Sequence, residues 1–83
     1  MKMYVVLSDI PPGQVDVAAW VLGIPKMLRE KNVSNAKFVT AYCCTPDKKM
    51  IGEVHADDKD ALSSALGKIG MPFTQIMEAT KKI

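Results

Sequence analysis

Hydrophobic and polar positions repeat with two different periods along this chain, and the changes of period mark its elements. Residues 2–9 are rich in β-forming side chains and are followed by Pro11-Pro12-Gly13, a strong breaker. From Gln14 onward the apolar residues recur at the spacing of a helix. The pattern therefore predicts a strand followed by a helix.

The predicted first helix is apolar on more than one side, which indicates burial on more than one side. One stripe consists of Val15, Ala18, Ala19 and Leu22, and a second consists of Trp20, Ile24 and Met27. Pro25 has no amide hydrogen and clashes with the preceding turn, so we expect a kink or a break at Gly23-Ile24-Pro25. The second part then runs from Pro25 to about residue 31.

The second half of the chain predicts a hairpin, a helix and a last strand. Residues 37–44 and 50–56 have strand character and flank turn residues 45–49. Asp57 or Asp58 is the expected helix cap, and Gly70 is the expected left-handed stop. The buried stripe of this helix is predicted to be Leu62, Ala65, Leu66 and Ile69. A last strand follows at about residues 73–79.

The resulting order, β-α-β-β-α-β, is that of a ferredoxin-like α+β fold. We expect residues 1–83 to form a single domain, with a four-stranded antiparallel sheet and two helices on one face. Two helices cannot cover both faces of such a sheet. In a chain this small, the open face must bind something or be polar.

The predicted hairpin assigns residues to the two faces. If Thr45 pairs with Met50, alternation gives the helix-covered side a set of small apolar residues: Cys43, Ala41, Val39, Gly52, Val54 and Ala56. Val39 is then opposite Ala56. On the open side Tyr42 is opposite Glu53, and Thr40 is opposite His55. We therefore take Thr40, Tyr42, Glu53 and His55 as candidate ligand-binding residues that meet in one polar cluster.

Three uses of this cluster are open. A histidine beside a carboxylate and a phenol can perform general acid–base chemistry, since an unperturbed histidine titrates at about pH 6.5. His55 and Glu53 can also hold a metal ion, with a second chain supplying further ligands. The third use is a hydrogen-bonded polar patch within a dimer interface. The residues do not distinguish among the three uses. They therefore do not decide whether the chain is an enzyme.

Composition and charge limit the function further. The 83 residues are 48% hydrophobic and 24% charged, a globular balance with no room for separate cofactor and substrate domains. A net charge of +2 without a clustered basic face argues against nucleic acid as a partner. The longest apolar run, residues 17–24, is too short to cross a membrane, and the N-terminus lacks the features of a signal peptide. We therefore expect a soluble cytoplasmic protein.

The two cysteines are adjacent in the sequence. Neighbouring strand residues point to opposite faces, so Cys43 and Cys44 cannot easily bridge each other. We expect both to be reduced, and the alternative is a reactive or metal-binding thiol at Cys44.

Three stretches in the second half, residues 45–47, 50–62 and 70–78, resemble the dimeric α/β-barrel superfamily. Within it they are most similar to a small, otherwise uncharacterised nickel-binding group, and next to muconolactone isomerase-like proteins. The shared features are a hairpin strand, a capped short helix and a proline-led last strand ending in Ile-x-Glu or similar. The resemblance covers about half the chain.

The resemblance implies a homodimer, or a larger homo-oligomer of such dimers, in which two sheets face each other and form a barrel. Ligands then lie in clefts of the barrel or between sheet and helices. The nickel-binding group has histidine in its first strand, whereas residues 4–9 here contain none. We expect a binding protein for a small molecule or a metal ion. The alternative is a cofactor-free isomerase or oxygenase of the same superfamily.

Overall fold

Four strands and three α-helices lie in the residues that the computed structural model describes, which are 1–10, 16–81 and 83. They are β1 (Lys2–Asp9), α1 (Val17–Leu22), α2 (Ile24–Glu30), β2 (Ala36–Cys44), β3 (Lys49–Ala56), α3 (Lys59–Lys68) and β4 (Gln75–Ala79). The predicted breaker at residues 11–13 and the predicted helix start at Gln14 fall outside the described residues. Within those residues, no helix is long and apolar enough to span a bilayer.

The strands form one antiparallel sheet in the order β2-β3-β1-β4, with β1 and β3 at its centre. The helices pack on one face of it, which confirms the predicted ferredoxin-like α+β fold. The buried core joins residues of that sheet face to residues of the helices. Its larger members are Tyr4, Val6, Met50, Val54 and Ile76 from the strands, and Val21, Ile24, Leu28, Leu62 and Leu66 from the helices.

The predicted break in the first helix is confirmed. Asp16 caps α1, with its Oδ1 accepting a hydrogen bond of 2.9 Å from the amide of Ala19. Gly23 ends α1 and donates its own amide to the carbonyl of Ala19. Pro25 then lies in the first turn of α2, where its missing amide hydrogen leaves no helical bond unmade.

The inward side of the first two helices differs from the first predicted stripe. Three residues at i, i+3 and i+7 are buried: Val21, Ile24 and Leu28. Three residues of the predicted stripe are exposed instead: Ala18, Ala19 and Leu22. That prediction was wrong because the segment is apolar on several sides, so its periodicity does not select one of them. Trp20 and Met27 of the second stripe do pack against the core, partly buried.

Helix α3 forms as predicted. The Oδ1 of Asp58 accepts a 2.7 Å hydrogen bond from the amide of Ala61 at its start. At its end Gly70 is left-handed, with φ +69°, and the amide of Met71 donates to the carbonyl of Leu66 at 2.9 Å. This bond and the one from Gly70 to Gly67 form a Schellman cap. The chain then enters β4 at Gln75, two residues later than predicted.

The β2–β3 hairpin is shifted by two residues from its predicted register. A short 3₁₀ turn at Thr45–Asp47 and a left-handed Lys48, with φ 54°, close the loop, so that Cys44 pairs with Lys49. The four-residue loop therefore covers residues 45–48, one position earlier than the loop that a pairing of Thr45 with Met50 would leave. A shift of two leaves residues 40–44 and all of β3 on their expected faces, because side chains alternate with a period of two.

A β-bulge interrupts β2 between Phe38 and Thr40. Val39 is the additional residue there, so Ala36 rather than Val39 is opposite Ala56, and the predicted Val39–Ala56 pairing was wrong. Phe38 packs against the core together with Ala41, although the two are three residues apart. The bulge thus exchanges the faces of the side chains: even-numbered residues face the core before it, and odd-numbered residues do so after it.

A small apolar void of about 20 Å³ remains between sheet and helices. Small residues, among them Gly52, Ala41 and Ala65, line it. A void of this size has room for about one water molecule, and its apolar lining offers that water no partners.

Candidate functional site

The sheet face away from the helices carries the predicted site residues of β3. Val54 and Ala56 are buried in the core, so Glu53 and His55, which alternate with them, lie on the open face. Both are partly buried, with side-chain exposures of 17% and 38% respectively. The predicted face is therefore the one that holds them.

His55 and Glu53 are in hydrogen-bond contact, with 3.2 Å between Nε2 of the imidazole and Oε2 of the carboxylate. If the imidazole is neutral with its proton on Nε2, that N–H donates to Glu53 and leaves Nδ1 as an acceptor. If it is protonated, both nitrogens donate and the pair is an ion pair. In either state Nδ1 is not needed for the bond to Glu53 and can meet a ligand.

The neighbouring strands surround this pair unequally. His55 is opposite Met3 on β1 and Lys37 on β2. Glu53 is opposite Val5 on β1 and Thr40 on β2. The β1 side of the pair is thus apolar, while the β2 side offers a hydroxyl and an ammonium group.

Thr40 and Tyr42 are each opposite a β3 residue two positions earlier than predicted. Thr40 is opposite Glu53 rather than His55, and Tyr42 is opposite Ile51 rather than Glu53. The predicted direct opposition of Tyr42 and Glu53 was wrong because the hairpin loop lies one residue earlier in the chain than predicted. The structure thus places Thr40 beside the His55–Glu53 pair, whereas Tyr42, 68% exposed, is one pair nearer to the hairpin.

The apolar residues around the pair were not among the predicted site residues. Ile51 and Met77 have exposures of 38% and 44% on this face, and Val5 and Leu7 of the central strand β1 lie between them. The sequence does contain a signal for Val5 and Leu7, because residues 3–7 are apolar at consecutive positions. Such a run is typical of a strand buried on both faces.

The hairpin end of the open face is more polar. Lys49 forms an ion pair with Asp9 and is opposite Cys44, which is partly buried. Cys43 is opposite Met50, on the other face, and is exposed. Both thiols are free. In the described part of the chain, no three His, Cys, Asp or Glu residues are grouped so that they can hold a metal ion.

The fold has a counterpart among crystal structures. The protein SCO4226 from Streptomyces coelicolor A3(2) is similar to this chain with a TM-score of 0.78, over 98% of this chain and 99% of that one. The two sequences are 11% identical, so the likeness concerns the fold alone. No known family pattern and no curated protein sequence matches the chain.

Proposed function

We propose that two copies of this chain pack their open sheet faces together and hold a small organic molecule beside the His55–Glu53 pair. The assembly would be a dimeric α/β barrel, as the resemblance in the second half of the sequence implies. The cytoplasmic location is part of the same proposal. The observation that carries it is the part-buried bond between Nε2 and Oε2, which borders the apolar β1 side of the uncovered sheet face.

The apolar character of the open face supports the dimer. Ile51 and Met77 expose more than a third of their surface there, although the helix-covered face of the same sheet is closely packed. Burying a large aliphatic side chain completely contributes about 1.5–3 kcal/mol. A second sheet laid on this face would bury such residues from both copies, at the position where β1 already has the composition of a strand covered on both sides.

The chemistry of the pair favours an organic ligand. A hydroxyl or enol group can donate to Nδ1 of the neutral His55, and a carbonyl group can accept from Nδ1 when the imidazole is protonated. The apolar remainder of the molecule then packs on Val5 and Ile51. A metal ion would find two donors, His55 and Glu53, from each copy and would need both copies to complete its coordination. We therefore propose the organic molecule and treat a metal ion as an alternative outcome of the test.

A second candidate function is enzymatic, as a cofactor-free isomerase or oxygenase. The specific observation in its favour is that the carboxylate of Glu53 contacts one imidazole nitrogen of His55, an arrangement that orients a general base. The proton acceptor would then be Nδ1, facing the ligand. Turnover of the bound molecule, lost in His55→Gln while binding persists, would distinguish an enzyme from a binding protein.

Native mass spectrometry of protein purified from cell extract tests the proposal. The expected result is a particle of twice 9.1 kDa that carries an organic adduct. His55→Ala and Glu53→Gln should lose the adduct and keep the dimer. Glu30→Gln, the same chemical change on exposed helix α2, is the matched control and should keep both.

The other outcomes separate the alternatives. An adduct with the mass of a metal ion would point to metal binding. A polar patch that serves only the interface predicts no adduct, and a dimer weakened by about 1–3 kcal/mol per buried group left unpaired in His55→Ala. A particle of 9.1 kDa at micromolar concentration, or equal adduct in wild type and both site variants, contradicts the proposal.

A further inference from the structure

A groove of about 220 Å³ lies at the edge of the sheet, between α2 and β2. Most of it lies on the helix-covered side of the fold, and one of its lining residues, Lys37, is opposite His55 where β2 and β3 pair. Apolar residues make most of its lining: Pro25, Leu28, Val33, Ala36 and Phe38. Two cationic residues, Arg29 from α2 and Lys37 from β2, complete it.

The apolar floor of the groove is part of the protein's core. Leu28 and Ala36 are each 7% exposed, and Val33 and Phe38 are partly buried against the same core. A ligand in the groove would therefore meet side chains already fixed by packing. Binding would require little ordering of the protein, and a preformed site loses less affinity to that cost.

The turn that leads out of α2 is also fixed. Asn32 is left-handed, with φ 56°, and the amide of Val33 donates to the carbonyl of Leu28 at 2.9 Å. The amide of Asn32 donates to the carbonyl of Arg29 at 3.0 Å. These two bonds form a Schellman cap, which pairs the carbonyls of Leu28 and Arg29. The C-terminal end of a helix is its negative end, so an anion at this place depends on the charge of Arg29.

The charges of the groove are uncompensated in the described part of the chain. There, neither Arg29 nor Lys37 takes part in an ion pair, whereas the neighbouring Lys26 is paired with Glu30 at 3.9 Å. Arg29 is also the only arginine of the sequence. Its planar guanidinium matches a carboxylate with two parallel hydrogen bonds, which a lysine cannot provide.

We propose that this groove binds a small organic carboxylate whose apolar body lies on Leu28, Val33 and Phe38 and whose carboxylate meets Arg29. Lys37 alternates with Ala36 and Phe38 on β2 and so belongs to the open face, which makes its contribution a weaker, longer-range attraction. The volume accommodates a single ring with a short acidic arm. The inference rests on Arg29 and the apolar lining, which are outside the open face, and so it does not rest on the proposed function.

Phenylacetate is the probe for a titration followed by amide chemical shifts of the full-length protein. We expect saturable shifts at the groove residues. Neutral phenylacetamide has the same shape and should bind with an affinity at least about tenfold lower. A charge-assisted hydrogen bond accounts for a factor of that size in affinity. Acetate, which lacks the ring, should also bind more weakly than phenylacetate.

Substitutions then assign the contacts. Arg29→Gln should weaken phenylacetate binding roughly tenfold and remove the preference over phenylacetamide. Lys37→Gln should weaken it by about two- to threefold, with the loss vanishing at high salt. Lys26→Gln, on the same helix but outside the groove, is the matched control and should change nothing. His55→Ala should also leave the titration unchanged.

This inference would be overturned by shifts outside the groove, by equal affinity for phenylacetate and phenylacetamide, or by unchanged binding in Arg29→Gln. A fold check by the amide spectrum of each variant excludes loss of structure as the cause of lost binding. Loss of the probe in Lys26→Gln would likewise contradict it, because a general positive field rather than the groove would then attract the anion.

Discussion

His55 and Glu53 occupy alternate positions of β3, and their side chains meet with 3.2 Å between Nε2 and Oε2. Met3 and Val5 of β1 flank them on one side, so the polar contact lies at the border of an apolar surface. Hydrogen bonds are stronger in such surroundings, and an unpaired carboxylate is costlier there than in water. The proposed interface therefore contains both the polar pair and the apolar surface beside it.

The apolar part of the open face should hold the dimer together. We expect Ile51→Glu to give a monomer at micromolar concentration, because a dimer would bury an unpaired charge from each copy. Light scattering measures the mass directly. Leu22→Glu is the matched control, since Leu22 is 77% exposed on a helix that packs against the other sheet face, and it should leave the dimer intact. Equal masses for the two variants would contradict the assigned interface.

The adjacent cysteines provide a second test of the same interface. Cys44 is on the open face and Cys43 is not, so dimer formation should protect only Cys44 from alkylation. We expect the alkylation rate of Cys43→Ser, which retains Cys44, to fall as protein concentration rises. The rate of Cys44→Ser should not depend on concentration. A rate that is independent of concentration in both variants would place the interface elsewhere.

Two glycines near the end of α3 should respond oppositely to alanine. Gly70 is left-handed, so Gly70→Ala should lower the free energy of unfolding by about 1–2 kcal/mol. Gly67 is inside the helix, and a Cβ there would meet no atom within 4 Å, so Gly67→Ala should raise it by about 0.5–1 kcal/mol. Urea unfolding of both variants gives the two values. A change of the same sign in both would show that the cap does not stabilise the helix end.

The void under the helices offers a stabilising substitution. A Cβ on Gly52 would approach the carbonyl of Thr40 no closer than 3.9 Å and would extend toward the void that Gly52 lines. We expect Gly52→Ala to raise the free energy of unfolding by about 0.5–1 kcal/mol in the same urea experiment. Gly23→Ala is the control, because its Cβ would lie 3.3 Å from the carbonyl of Trp20 and should bring no comparable gain.

Much of this fold can be predicted because its local signals agree with one another. The break at Pro25, the cap at Asp58 and the stop at Gly70 all appear where the sequence indicates them. Each depends on the chemistry of one residue and on nothing distant. The open face could be assigned for a similar reason, since alternation survives a shift of two residues in the hairpin.

The remaining features depend on contacts that a linear pattern does not contain. The conformation of Lys48 sets the hairpin register, although lysine is not a residue that favours the left-handed region. The inward side of α1 depends on how a segment apolar all round docks onto the sheet. The groove at Arg29 arises only when α2 and β2 meet, so nothing in the spacing of its residues predicts it.

The bulge at Val39 gives β2 a different tolerance for insertions and deletions from that of a regular strand. Its two halves present even-numbered Ala36 and Phe38, and odd-numbered Ala41, to the same core. Removing Val39 would straighten the strand and leave each half facing as before, whereas removing Glu53 from β3, whose pairing with β1 is regular, would turn one half of β3 over. Thermal unfolding of the two deletion variants should therefore find the first folded and the second not. Val39, which is not part of the core, is thus a residue whose loss β2 can accommodate without reversing the faces of its side chains.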